Sequence, residues 1–171
     1  MVRLDELNAM DRDDFVATLA GIFERSPWIP EAVFGARPFP SVAALHRLMV
    51  DAVEAAPQDD RLTLLKAHPE LAAKADRKAP LTAESTAEQA SAGLDTLDTD
   101  EGARLSAANW LYRQRFGFPF IIAVRGQRDR AAILRAIDTR TENSESQEIE
   151  TAIAEVAKIA WFRLSDLIAG G

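Results

Sequence analysis

The sequence contains no cysteine and only two histidines among its 171 residues. The absence of thiols excludes disulfide bonds, thiolate metal sites and a cysteine nucleophile. With only His46 and His68 available, zinc would have to rely on carboxylate ligands. We therefore expect no multi-histidine metal site.

Long apolar runs are also missing. No run approaches the length of about 18 residues that a transmembrane helix needs. The first residues turn acidic at once and lack the apolar stretch of a signal peptide. The last residues, Leu167-Ile168-Ala169-Gly170-Gly171, do not form a Ser-Lys-Leu peroxisomal signal. We expect a cytoplasmic protein.

The overall charge limits the partners. A net charge of −7 argues against nucleic acid or an anionic membrane as the main partner. An anionic small molecule remains acceptable if a local cation holds it. The hydrophobic fraction of 47% is ordinary for a globular protein, and the length fits one domain covering residues 1–171.

Apolar residues recur at helical spacing along most of the chain, which predicts an all-α fold. Proline-rich stretches at residues 26–30 and 37–40 should interrupt the helices. The pattern indicates about seven to nine helices and no simple up-down bundle. The first predicted helix covers about residues 11–23 with Asp11 as N-cap, the second is capped by Ser41, and the third passes through residues 62–65. A short helix is predicted from Ser85 to about Leu94, and longer helices at about residues 101–116, 128–139 and 146–168.

Residues 118–124, called the apolar segment below, form the only strand-like run. A single strand has no pairing partner, so we expect a buried extended segment or the start of a helix. Gly117 should end the preceding helix. Core filling explains the side chains, but unpaired backbone groups would need partners, which a polar heterocycle could supply.

His68 is the first candidate for chemistry. Pro69 disfavours helix in the residue before it, so the helix through residues 62–65 should end near His68. Histidine titrates near neutral pH, and a helix C-terminus favours its cationic form. This position suits a proton donor, but it equally suits a histidine that only caps the helix.

Ser85, Glu88 and Gln89 form the second group. Ser85 and Glu88 have the spacing of a capping box, in which each side chain satisfies an amide at the helix start. That structural role is sufficient to explain both residues. The same helix start also offers free amides that can hold an anion.

Arg163 is the third candidate. It follows Val156 by seven residues, so it should lie on or beside the apolar stripe of the last predicted helix. An arginine there must extend to solvent, pair with a carboxylate or bind an anionic ligand. Its replacement by methionine is expected to be neutral for stability, because it removes a desolvation cost.

Four motifs, taken in order, resemble the OHCU decarboxylases, where OHCU is 2-oxo-4-hydroxy-4-carboxy-5-ureidoimidazoline. The resemblance extends back to Phe23-Glu24-Arg25-Ser26-Pro27-Trp28 and Arg37-Pro38-Phe39, so it covers nearly the whole chain. Each motif alone is weakly specific, whereas their order and spacing together are specific. The four are His68-Pro69-Glu70-Leu71-Ala72, Ser85-Thr86-Ala87-Glu88-Gln89 leading to Ala92-Gly93-Leu94, Phe116-Gly117-Phe118-Pro119-Phe120-Ile121-Ile122, and Arg163-Leu164-Ser165-Asp166-Leu167.

The resemblance implies an all-helical homodimer that decarboxylates OHCU to (S)-allantoin in urate degradation, without a cofactor and with protonation of one face. It implies that His68 is the proton donor and that Glu88 orients it. His68 and Arg163 should then share one pocket. The substrate-binding positions that the resemblance implies are Pro69, Ser85, Gln89, Phe120, Ile121, Ile122, Ala123, Val124 and Arg163.

Two other functions remain open at this point. A helical binding module could retain the fold without catalysis, and it would not accelerate the loss of freshly made substrate. A hydrolase acting on a neighbouring compound such as 5-hydroxyisourate would need an activated water, for which only His68 and the carboxylates are available.

Overall fold

The computed structural model describes residues 1–71 and 99–169. Within these ranges the chain forms eight α-helices, two 3₁₀ turns and one pair of two-residue strands, so the all-α prediction is confirmed. None of the described helices is both long and apolar enough to cross a membrane. The predicted short helix from Ser85 lies outside the described residues.

The elements are named here in chain order. The 3₁₀ turns cover Phe34–Ala36 and Val124–Gly126, and the strands are β1, Val2–Arg3, and β2, Ile168–Ala169. The helices are α1, Leu4–Ala9; α2, Arg12–Leu19; α3, Trp28–Val33; α4, Val42–Glu54; α5, Gln58–Ala67; α6, Thr99–Phe116; α7, Arg130–Thr141; and α8, Glu145–Leu167.

The chain divides into two compact units. The first consists of the described residues of Met1–Ala67 and Val156–Gly171, and the second of those of His68–Glu155. The single domain expected for residues 1–171 stays a prediction.

Two helix starts in the first unit follow the predicted caps. The side chain of Asp11 accepts a hydrogen bond from the Asp14 amide at 2.9 Å, and Ser41 accepts one from the Ala44 amide at 3.1 Å. These bonds satisfy amides that a helix start leaves without partners. β1 pairs in parallel with β2, with Val2 opposite Ile168.

Two predictions in the first unit were wrong. Helix α2 ends at Leu19 rather than Phe23, because the chain turns at Ala20-Gly21 and glycine is a poor helix former. The stretch 26–30 was expected to break the helix, yet α3 begins at Trp28. Pro30 is the third residue of α3, where a backbone N–H has no partner within the helix, so proline is tolerated.

In the second unit, α6 ends at Gly117 as predicted, with a φ of 77° that glycine adopts without strain. The apolar segment follows and is buried along its length. It is neither helical nor paired into a sheet up to Ala123, and it then enters the 3₁₀ turn at Val124. Aromatic rings pack around it, with Tyr112 edge-on to Phe118 and Phe120.

Candidate active site

His68 lies where the sequence placed it. Helix α5 ends at Ala67, one residue before His68, and only 7% of His68 is exposed. A helix C-terminus carries partial negative charge from its free carbonyl groups, which favours a cationic imidazole. A buried histidine at this position is a candidate proton donor.

Helix α6 holds the residues that follow His68. The Asn109 Nδ2 donates to the Leu71 carbonyl at 3.0 Å, and Arg113 lies 3.7 Å from the Glu70 carboxylate. Asn109 is 2% exposed. Asn109 was not predicted, although it shares a helical face with the buried residues Leu105 and Tyr112, and a polar residue on such a face indicates a specific partner.

Two side chains bind the backbone of the apolar segment. Glu155 accepts a hydrogen bond from the Ala123 amide, and Arg140 Nη1 donates to the Ile121 carbonyl, both at 2.7 Å. The protein itself therefore supplies a partner for one backbone group at each of these two residues. Among residues 1–71 and 99–169, no hydrogen bond engages the backbone of Phe120 or Ile122.

A buried carboxylate organises the surroundings of Arg140. Glu148 is fully buried and accepts hydrogen bonds from the Tyr112 hydroxyl, from Arg140 Nε at 2.8 Å and from Asn143 Nδ2 at 2.7 Å. Burial, reinforced by the bond to Glu148, raises the pKa of Tyr112 well above its usual value. Tyr112 therefore stays protonated and remains a donor to Glu148.

Arg163 points inward, as its position on α8 predicted. Its Nη1 donates to the Gly21 carbonyl at 3.0 Å and to Glu24 Oε2 at 3.2 Å, and 7% of the residue is exposed. Glu24 is 3% exposed. The role of Glu24 was missed; the apolar residues Ile22 and Phe23 directly before it were the available signal. The pair also changes the expectation for Arg163→Met, because the substitution now leaves a buried carboxylate behind.

Some predicted site residues cannot be located. Ser85, Glu88 and Gln89 lie outside the described residues, and the shared pocket of His68 and Arg163 stays a prediction. In the part of the chain that the structure describes, no three His, Asp or Glu side chains are grouped so that they could hold a metal ion.

These features define an all-α protein with a buried histidine at a helix end and a buried, unpaired apolar segment. The family model described as OHCU decarboxylase matches residues 8–165. The chain belongs to this family, which confirms the resemblance seen in the motifs.

Individual relatives agree with the family match. The 2-oxo-4-hydroxy-4-carboxy-5-ureidoimidazoline decarboxylase of Mus musculus is 40% identical over 163 residues, covering 95% of this chain and 91% of that protein. The protein of the same name from Haloferax volcanii is 42% identical over 163 residues, covering 95% and 94%. A crystal structure of (S)-allantoin synthase has a TM-score of 0.79 at 29% identity, covering 98% of this chain and 54% of that one.

Proposed function

We propose that this protein decarboxylates OHCU to (S)-allantoin in urate degradation, without a cofactor. The observation that carries the proposal is the family match over residues 8–165. The buried position of His68 directly after α5 supports it, because decarboxylation consumes one proton for each CO₂ that leaves.

The substrate itself can accept the electrons that decarboxylation releases. Its carboxylate is attached to a carbon next to a ring C=N bond. When the C–C bond breaks and CO₂ leaves, its electron pair forms a C=C bond to the neighbouring ring carbon. The π pair of the C=N bond moves onto the ring nitrogen, which takes up a proton. The resulting enol then gains a proton on carbon and loses its hydroxyl proton, so one proton is consumed for each CO₂ released. Other decarboxylases assign the role of electron sink to a prosthetic group.

In this proposal His68 is the proton donor and Pro69 lines the pocket beside it. The helix C-terminus favours the protonated imidazole, and burial keeps water from competing as a proton source. Glu88 orients His68 and favours its cationic form. Delivery of the proton to one face yields a single enantiomer.

The apolar segment binds the ring of the substrate through its backbone. The positions that the resemblance implies are Phe120, Ile121, Ile122, Ala123 and Val124. Because the Ile121 carbonyl and the Ala123 amide already bond to Arg140 and Glu155, we assign the direct contacts to backbone groups of Phe120 and Ile122. Buried backbone groups without partners are costly, and a bound heterocycle would satisfy them.

Three further side chains complete the proposed binding set. Ser85 and Gln89 hold the ureido group. Arg163, whose guanidinium is planar and always charged, anchors a carbonyl or anionic edge of the substrate. A homodimeric state and a cytoplasmic location, which the resemblance implies, belong to the same proposal.

Product analysis tests the function. Urate is oxidised in the presence of this protein and a hydroxyisourate hydrolase, and the allantoin is followed by circular dichroism. We expect optically active allantoin without a lag. Racemic allantoin formed at the spontaneous rate would contradict the proposal and would favour a binding module without catalysis.

A further inference from the structure

We propose that Arg140 and Glu155 are positioning residues that hold the apolar segment in the conformation that binds the substrate. This inference rests on the proposed function, in which backbone groups of the segment contact the ring. Neither residue is expected to touch the substrate itself. Both act through backbone atoms of residues 121 and 123.

Glu155 holds the segment at Ala123. Its carboxylate accepts the Ala123 amide at 2.7 Å, and 8% of the residue is exposed. A hydrogen bond from a neutral amide to a buried carboxylate is stronger than one between neutral groups. Burying a charged carboxylate is costly, and the hydrogen bond from the Ala123 amide offsets part of that cost.

Arg140 holds the segment at Ile121 and is itself held by Glu148. Its Nε and Nη2 both donate to Glu148 Oε1, while Nη1 donates to the Ile121 carbonyl at 2.7 Å. The guanidinium also lies 4.5 Å from the centre of the Phe120 ring. A planar fork can make these contacts at once, whereas a lysine ammonium cannot reproduce their geometry.

The two contacts use alternate residues, and this spacing carries the inference. In an extended backbone, alternate residues direct their N–H and C=O groups to the same edge. Ile121 and Ala123 are thus held at one edge by protein side chains. The alternate residues Phe120 and Ile122 have no backbone hydrogen bond among the described residues. One edge is fixed so that the other is presented to a ligand.

Substitutions at Glu155 test the positioning role. Glu155→Gln keeps an acceptor for the Ala123 amide, whereas Glu155→Leu removes it. We expect the Leu variant to raise KM and to lower kcat/KM by about 10- to 100-fold, because a small displacement of a binding group has effects of this size. The Gln variant should stay within about threefold of the wild type.

The enantiomeric purity of the product separates a positioning role from a loss of stability, because a loss of stability alone does not change it. A partly unfolded enzyme makes less allantoin, but what it makes, after subtraction of the spontaneous reaction, keeps the wild-type optical purity. A misplaced segment holds the ring loosely, so the Leu variant should give a lower enantiomeric excess. Arg140→Lys should give the same pair of effects and replaces the Leu variant if that variant does not fold.

Tyr112→Phe is the matched control. It removes one buried hydrogen bond to Glu148 but leaves both Arg140–Glu148 bonds and the Arg140–Ile121 bond in place. We expect a lower melting temperature with unchanged KM and enantiomeric excess. If the wild type is active and the Glu155→Leu and Arg140→Lys variants keep its KM and enantiomeric excess, the positioning roles are overturned but the proposed function is not. A wild type without activity would overturn the proposed function as well.

Discussion

Replacing Arg163 by methionine should destabilise the protein and lower turnover through two separable effects. The side chains of Arg163 and Glu24 are 6% and 2% exposed and approach to 3.2 Å. Removing one partner of a buried ion pair costs about 3–5 kcal/mol. For a protein of this size, about 2–4 °C is lost per kcal/mol, so the melting temperature should fall by about 6–20 °C.

The double variant Arg163→Met/Glu24→Gln separates stability from binding. It removes the buried charge together with its partner, and neutral replacements of buried ion pairs often cost little. We therefore expect it to regain most of the lost stability. If Arg163 binds the substrate, turnover of the double variant should remain at least about tenfold below wild type, the loss expected from one charged hydrogen bond.

Thermal unfolding and initial rates on freshly made substrate measure the two effects. Arg3→Met is the control, because Arg3 pairs with Asp5 at 3.0 Å while both side chains are mostly exposed, and such pairs contribute about 0–1 kcal/mol. A melting temperature of Arg163→Met as high as that of the control would refute the energetic reasoning. Turnover that recovers with stability in the double variant would refute the binding role of Arg163.

Three other predictions concern His68, Glu88 and Tyr112. His68→Asn should keep the fold and lower turnover by about 10²–10⁴-fold, the usual contribution of a positioned proton donor. His46→Asn is the control and should affect mainly stability, since His46 Nε2 bonds to the Ala157 carbonyl at 2.8 Å. Equal turnover losses in the two variants would contradict the role of His68. Glu88→Gln should lower turnover strongly with a small melting change, because glutamine also serves in a capping box; wild-type turnover would leave Glu88 a purely structural role. Tyr112 is the only tyrosine, so the alkaline change in absorbance reports the ionisation of Tyr112 alone. Because its pKa is raised in the folded protein, Tyr112 contributes its full share of folding stability below the unfolded-state pKa of about 10, and this contribution is lost as the pH rises above that value. Tyrosinate formed near pH 10 without unfolding would contradict the burial of Tyr112.

Much of the fold could be predicted because helix ends depend on local chemistry. A cap such as Asp11 or Ser41 bonds to an amide three residues away, and Gly117 ends α6 because its own backbone adopts a positive φ. The start of α3 was missed because proline was read only as a helix breaker. Pro30 is tolerated because it lies in the first turn of α3, and the local sequence pattern did not show that the helix begins at Trp28.

The candidate site could be predicted only in part. Motif order identified His68, Arg163 and the apolar segment, and periodicity placed Arg163 on an inward face. Neither could identify which side chains hold them. The apolar face around Asn109 indicates a partner but not that the partner is the Leu71 carbonyl, and Glu155 shows nothing unusual in its own local sequence.

The sequence by itself determined the helical class, most helix boundaries and the residues that carry the family motifs, because these depend on interactions within a few positions of the chain. Only the tertiary structure decided the partners. Glu24 and Arg163 are 139 positions apart, Ala123 and Glu155 are 32 apart, and Ile121 and Arg140 are 19 apart. A buried charge or amide needs a hydrogen-bond partner, and packing of the chain supplies that partner from a distant position, which the local sequence pattern does not show.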